Sequence, residues 1–230
     1  GGTSKTPCVI YLNEMFCQTR KVAVLSRGYG RKSRGFYEVN NVGDVNVTGD
    51  EPMLIKNKSS KSMVFVDENR RRGIKKISKL YNDINLILLD DAFQHRYVKP
   101  DVNILLTVYN DLYIDDHILP YGRLRESVSG VERANIIIVT KCPKTLNRIE
   151  AEAIKERLNP PSSKRIFFSR VDYSEPFELF SDEKFNKDKH DSLLLISGIS
   201  SNSSFFDEVR PKFNIKNEYS FKDHVNYSEP

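Results

Sequence analysis

No run of about 18 apolar residues and no signal peptide occurs in the 230 residues, so no segment of them is expected to span a membrane; peripheral attachment stays open. Cysteine is scarce. Cys8, Cys17 and Cys142 stand at no metal-ligand spacing, and Cys8 and Cys142 adjoin apolar residues. They read as reduced thiols of a cytosolic protein rather than as a disulfide framework. Without clustered Cys and His, a metal-delivery role has nothing to work with. Internal repeats and low-complexity tracts are also missing. Nor is charge of one sign dense: 36 Lys plus Arg against 31 Asp plus Glu leave a net +5, short of a dedicated nucleic-acid binder. No nucleic-acid partner and no obligate protein partner are expected.

What is present is enough chain to bury one sizeable core and begin a second, with 39% hydrophobic and 29% charged residues. The basic residues fall in two patches. Arg20, Lys21, Arg27, Arg31, Lys32 and Arg34 occur with no acid among them, and Arg70, Arg71, Arg72, Lys75 and Lys76 form a second run. Both point to an anionic ligand.

Apolar, β-branched runs at 22–26, 63–66, 84–89, 102–108, 136–140, 165–169 and 193–197 predict strands. Several are apolar at consecutive positions, which is how a strand reads when helices cover both its faces. Helices are predicted over 5–16, 51–58, 70–81, 147–158 and 203–213. Alternation of the two predicts a three-layer α/β fold with a mostly parallel sheet, which the glycine-rich start at 1–7 and the acidic strand end at 90–91 make P-loop NTPase-like. Residues 1–171 are expected to form a nucleotide-binding and catalytic core, and 172–230 the start of a smaller C-terminal α/β region.

Gly1-Gly2-Thr3-Ser4-Lys5-Thr6-Pro7 matches the second half of a Walker A loop. There, backbone N–H groups cradle phosphates, Lys meets the β and γ oxygens, and Thr holds Mg²⁺. Pro7 suits the first turn of the following helix. Ser4 stands where Gly normally precedes the Lys, and taken alone the loop reads equally as a flexible glycine-rich start. Its partner is the run 84–89 followed by Asp90-Asp91, an apolar strand delivering two carboxylates at its C-terminal end, the pattern of a Walker B strand. One carboxylate is expected on Mg²⁺ and the second on the acceptor or the metal.

Asp90-Asp91-Ala92-Phe93-Gln94-His95-Arg96 goes further: it resembles the Asp-Asp-Gly-Phe-Gln-His signature of tetraacyldisaccharide 4'-kinases, with Ala92 for the usual Gly. In the same order follow matches at Ser26-Arg27-Gly28-Tyr29-Gly30-Arg31, Gly49-Asp50-Glu51-Pro52, Leu119-Pro120-Tyr121-Gly122-Arg123-Leu124-Arg125-Glu126 and Val139-Thr140-Lys141-Cys142-Pro143, with Ser197-Gly198-Ile199 and Phe221-Lys222-Asp223-His224 as later landmarks. Where the family often reads Asp-His-His, Val225 replaces the second His. The resemblance implies a membrane-associated helix before the P-loop and further sequence after Asp223-His224, so both ends read as cuts.

It also implies the reaction: the γ-phosphoryl of ATP goes to the 4'-hydroxyl of an acylated disaccharide 1-phosphate at the cytoplasmic face of the bacterial inner membrane. By resemblance, Gly1, Gly2, Thr3, Ser4, Lys5 and Thr6 bind ATP, and Thr6, Asp90 and Asp91 hold Mg²⁺. Lys5, Asp90 and Asp91 count as catalytic, Asp50 is the base, and His224 tunes it. Ser26, Arg27, Tyr29, Arg70, Gln94, His95, Arg125 and Glu126 bind nucleotide or acceptor. The 27–34 stretch is expected to meet the acceptor's phosphate or an anionic membrane surface. Read without the resemblance, Asp50 caps a helix starting near Pro52, Arg70 is solvated, and Arg125-Glu126 is a surface ion pair.

Two rivals remain. Thr140-Lys141 opens like a guanine-reading motif, but Pro143 stands where the required Asp would be, so ATP is favoured over GTP. A nucleotide-binding protein that keeps the fold without turnover is the other.

Overall fold

The structure is a computed structural model that describes residues 2–40, 43–59, 61–159, 163–178, 185–186, 192–199 and 202–221. The chain divides into two compact units, Thr3–Arg170 and Val171–Pro230, with Gly1–Gly2 grouped with the second.

The first unit carries α1 (Lys5–Phe16), β1 (Val22–Ser26), β2 (Tyr37–Glu38), α2 (Val45–Thr48), α3 (Asp50–Lys58), β3 (Met63–Val66), α4 (Arg70–Leu80), β4 (Leu86–Leu89), β5 (Ile104–Val108), β6 (Ile136–Thr140), α5 (Arg148–Leu158) and β7 (Arg165–Phe168). One sheet runs β2-β3-β1-β4 and another β5-β6-β7. All pairings are parallel except β2 with β3.

The continuous apolar reading of β1 has its cause in burial on both faces, since all five residues are buried. Val24 joins Val64, Val66, Met53 and Ile55, against which Val9 and Ile10 of α1 pack. Ala23 and Leu25 join Phe65 and Ile77, placing α4 on the opposite face. Helix, sheet and helix are therefore stacked in three layers, and successive residues of β1 serve alternate layers. On the second sheet Ile137 and Val139 pack with Ile154 and Leu158 of α5. That helix opens on a capping box in which Asn147 accepts from the Glu150 N–H and the Glu150 side chain returns to the Asn147 N–H.

In the second unit β8 (Leu193–Ser197) and β9 (Ile215–Ser220) pair in parallel across α6 (Ser203–Val209). The helix expected over 203–213 ends at Val209: Arg210 still has helical backbone, φ −49° and ψ −44°, but Pro211 after it supplies no N–H to continue the ladder.

Candidate active site

α1 begins at Lys5, and its N-cap, Ser4, adopts a left-handed backbone with φ 64° and makes no side-chain cap. The turn normally made by glycine is thus made by Ser4 at some conformational cost. The first-turn N–H groups of a twelve-residue helix are left without a capping side chain, which suits a phosphate. Gly2 has φ 79°. Thr3 is held from the second sheet, its carbonyl accepting from Thr140 Oγ1 at 3.3 Å. Gly1 and His224 lie outside the described residues.

Asp90 and Asp91 follow β4 directly, and the structure separates them. Asp90 is 1% exposed; its Oδ2 accepts from Ser26 Oγ at 3.3 Å, and its buried Oδ1 has no partner among the described residues. Burial, reinforced by the charges of Glu51 and Asp91 and opposed by Ser26 and Lys5, raises its pKa to about 6. Asp91 has φ 45° and turns outward, 3.8 Å from Lys5 Nζ and 3.1 Å from Arg125 Nη1.

The expected helix cap at Asp50 is corrected: α3 starts at Asp50 and Gly49 is the N-cap. Asp50 Oδ1 accepts from the Glu51 N–H at 2.8 Å. Its place comes from two glycines that let backbones touch. A Cβ on Gly49 would lie 3.0 Å from the Tyr29 carbonyl and 3.3 Å from Gly28 Cα. One on Gly28, at φ 70°, would lie 2.5 Å from Arg31 Cδ and 2.9 Å from the Thr48 carbonyl. The loop after β1, carrying Arg27 and exposed Tyr29, is thereby seated on the N-terminus of α3. Gly28→Ala is expected to lower stability by about 1–3 kcal/mol through strain and overlap, read as a drop in Tm.

Arg70 is not solvated but 3% exposed, its guanidinium donating to the carbonyls of Asp67 and Asp90 at 3.0 Å each. It fixes the backbone of Asp90. Arg125 and Glu126 do not pair with each other. Glu126 accepts from Arg133 at 2.6 Å, Arg96 at 3.0 Å and Gln94 at 3.4 Å. Burial pushes its carboxyl up, but those donors outweigh it and hold the pKa below the usual value. The pKa of His95 is lowered by burial and by the nearby charges of Arg70 and Arg27; its buried Nε2 has no partner among the described residues.

Glu51 was not singled out in the sequence, yet it accepts from buried Thr6 Oγ1 at 3.4 Å and contributes to the raised pKa of Asp90. Its only sequence signal is its place beside Asp50. Among the described residues no three His, Cys, Asp or Glu side chains converge as a metal cage. The unpartnered Asp90 oxygen amid carboxylates fits instead a Mg²⁺ held by one or two protein groups and by the phosphates of a nucleotide.

The family model described as tetraacyldisaccharide-1-P 4'-kinase matches residues 1–230. A tetraacyldisaccharide 4'-kinase of Flavobacterium psychrophilum is 46% identical over 211 residues, covering 90% of this chain and 61% of its own length. One of Bacteroides fragilis is 40% identical over 237 residues, covering 100% and 63%. The chain thus spans about three-fifths of the length of these relatives. LpxK of Aquifex aeolicus, solved in complex with ATP, superposes with a TM-score of 0.75 at 29% identity, covering 100% of this chain and 70% of that one.

Proposed function

From its membership of the tetraacyldisaccharide-1-P 4'-kinase family, to which this chain belongs, we propose that it forms the ATP-binding and phosphoryl-transfer part of a lipid A 4'-kinase. The acceptor is the 4'-hydroxyl of a tetraacyldisaccharide 1-phosphate. The observation that carries this is the meeting of Lys5, Thr6, Glu51, Asp90 and Asp91 at the uncapped start of α1.

Phosphoryl transfer asks the protein chiefly for positioning and charge stabilisation. The α1 N–H groups and Lys5 bind the phosphates, with Asp91 and Arg125 lining the approach. Thr6 and Asp90 would hold Mg²⁺, which would supply neutralisation of phosphate charge. Asp50 takes the proton of the acceptor hydroxyl as its oxygen bonds the γ-phosphorus. The bond from that phosphorus to the β-bridging oxygen breaks, and ADP leaves. Arg27 and Tyr29 meet the acceptor; Gln94, His95 and Glu126 border the site. His224 is given the role of tuning the Asp50 base on the family resemblance alone.

The acceptor is a lipid, so the working place is the cytoplasmic face of the inner membrane. Among the described residues no helix is long and apolar enough to cross a membrane. α4 has no acidic residue and exposes Arg71, Lys75 and Lys79 one turn apart, along an open groove that Arg72 and Lys76 also line. Such a face is attracted to anionic headgroups.

The test is transfer of labelled γ-phosphate from ATP to the tetraacyldisaccharide 1-phosphate by the detergent-solubilised full-length protein. Transfer is expected with ATP, and GTP is expected to be poorer by roughly tenfold or more, the worth of an unmade hydrogen-bonding pair at the guanine edge. No transfer with either nucleotide would replace this reading with that of a nucleotide-binding protein.

A further inference from the structure

The loop 27–36 between β1 and β2 has no regular secondary structure, yet it carries the side chains assigned to the acceptor and sits against Gly49, the neighbour of Asp50. Arg31 fills its centre, with a side chain 4% exposed. It donates to Ser33 Oγ at 3.2 Å and to the Gly35 carbonyl at 2.8 Å. A backbone bond from the Lys32 N–H to the Asn46 carbonyl and a bond from Ser33 Oγ to the Val47 carbonyl fasten one flank.

On the other flank Phe36 stacks on buried Phe65, ring centroids 5.2 Å apart, and one carboxylate holds the residues just before it. Glu68, in the turn between β3 and α4, accepts from the Gly35 N–H with both oxygens, at 3.1 and 2.9 Å. It also accepts from Arg31 Nη2 and from Arg72 Nη2 at 2.8 Å. Burial pushes this carboxyl up, but the Gly35 and Glu68 N–H groups, Arg72 and Arg31 outweigh it and hold the pKa at about 2. The same turn reaches the phosphoryl side. Arg72 is gripped by buried Asp67 through two bonds, at 2.9 and 2.7 Å, and Arg70 runs from the Asp67 carbonyl to that of Asp90. One turn thus holds the acceptor loop through Glu68 and the Asp90 backbone through Arg70.

We propose that Glu68 is a positioning residue for the transfer reaction: it sets loop 27–35 at a fixed distance from Asp50 and from the Asp90 end of the site. This rests on the kinase reading above. Glu68 touches neither nucleotide nor acceptor in this scheme, so its loss acts through Arg27, Tyr29 and the seat of Asp50. A small displacement of reacting groups is costly even when both substrates still bind.

The experiment compares full-length wild type, Glu68→Ala and Glu68→Gln. kcat/KM for the acceptor is expected to fall on the order of ten- to a hundredfold in the alanine variant, while KM for ATP stays within about twofold. Gln keeps an acceptor for the Gly35 N–H and is expected to fall between. Without any acceptor, limited trypsin digestion is expected to cut faster at Arg27, Lys32 and Arg34 in Glu68→Ala. An active wild type whose Glu68→Ala variant matches it in acceptor kinetics and in loop cleavage overturns the positioning role alone. Acceptor and ATP constants that worsen together, with a large fall in Tm, overturn it in favour of a purely structural one. An inactive wild type overturns the kinase reading, and with it this inference.

Discussion

Asp90→Asn is expected to cost roughly a hundred- to a thousandfold in phosphoryl transfer while making the metal-free protein more stable at pH 7. Native Asp90 keeps its proton up to about pH 6, whereas an unfolded aspartate gives it up near pH 4, to a rough figure. Between those values the native state binds more protons, so stability falls as pH rises through the window. At pH 7 the ionised, buried carboxylate is a net cost of up to about 3 kcal/mol, two pKa units at 1.36 kcal/mol each. Asn keeps an acceptor for Ser26 Oγ and removes the charge. Thermal unfolding of both proteins from pH 4 to 7.5 checks this: the variant should melt higher at pH 7, and the gap should close toward pH 4. A variant that melts lower at pH 7 means that Asp90 is already neutralised in the native state. Loss of Mg²⁺-dependent ATP binding in the same variant is the companion result.

The second large effect is at Asp50. Asp50→Asn keeps the oxygen that accepts from the Glu51 N–H at 2.8 Å, so α3 should start where it does, with about 0.3–1 kcal/mol lost from the charge at the helix N-terminus. What disappears is a carboxylate able to take the hydroxyl proton. kcat is expected to drop roughly a hundred- to ten-thousandfold, with Kd for ATP unchanged. Single-turnover transfer and equilibrium nucleotide binding separate the two. A variant retaining a third or more of the wild-type kcat would remove Asp50 from the base role and move it to another group near the 4'-hydroxyl.

Much of the fold could be read from the chain because its cause is local. The runs at 22–26, 63–66 and 136–140 coincide with strands, and a strand covered on both sides has no choice but a continuous apolar stretch; the run at 193–197 is also a strand, although Leu194 and Ile196 are exposed. Pattern failed where burial is weak. β2 is two exposed residues on an edge, and β9, reading Ile-Lys-Asn-Glu-Tyr-Ser, is exposed after its first position. Neither had apolar alternation to announce it.

The candidate site divides along the same line. Lys5 and Thr6 opening a helix, and Asp90 and Asp91 ending a strand, are arrangements of neighbours in sequence, so the chain by itself determined that a phosphate loop and an acidic strand end exist. Only the tertiary structure decided what surrounds each residue there. Ser26 and Asp90 meet across 64 positions, Thr6 and Glu51 across 45, and Arg31 and Glu68 across 37. Such packing buries Asp90 while Asp91 stays exposed, holds Arg70 on the carbonyls of Asp67 and Asp90, and sets Glu51 beside Thr6 and Glu68 against the 27–35 loop. A side chain's burial and charge environment depend on which distant segments pack around it, and no local pattern encodes that.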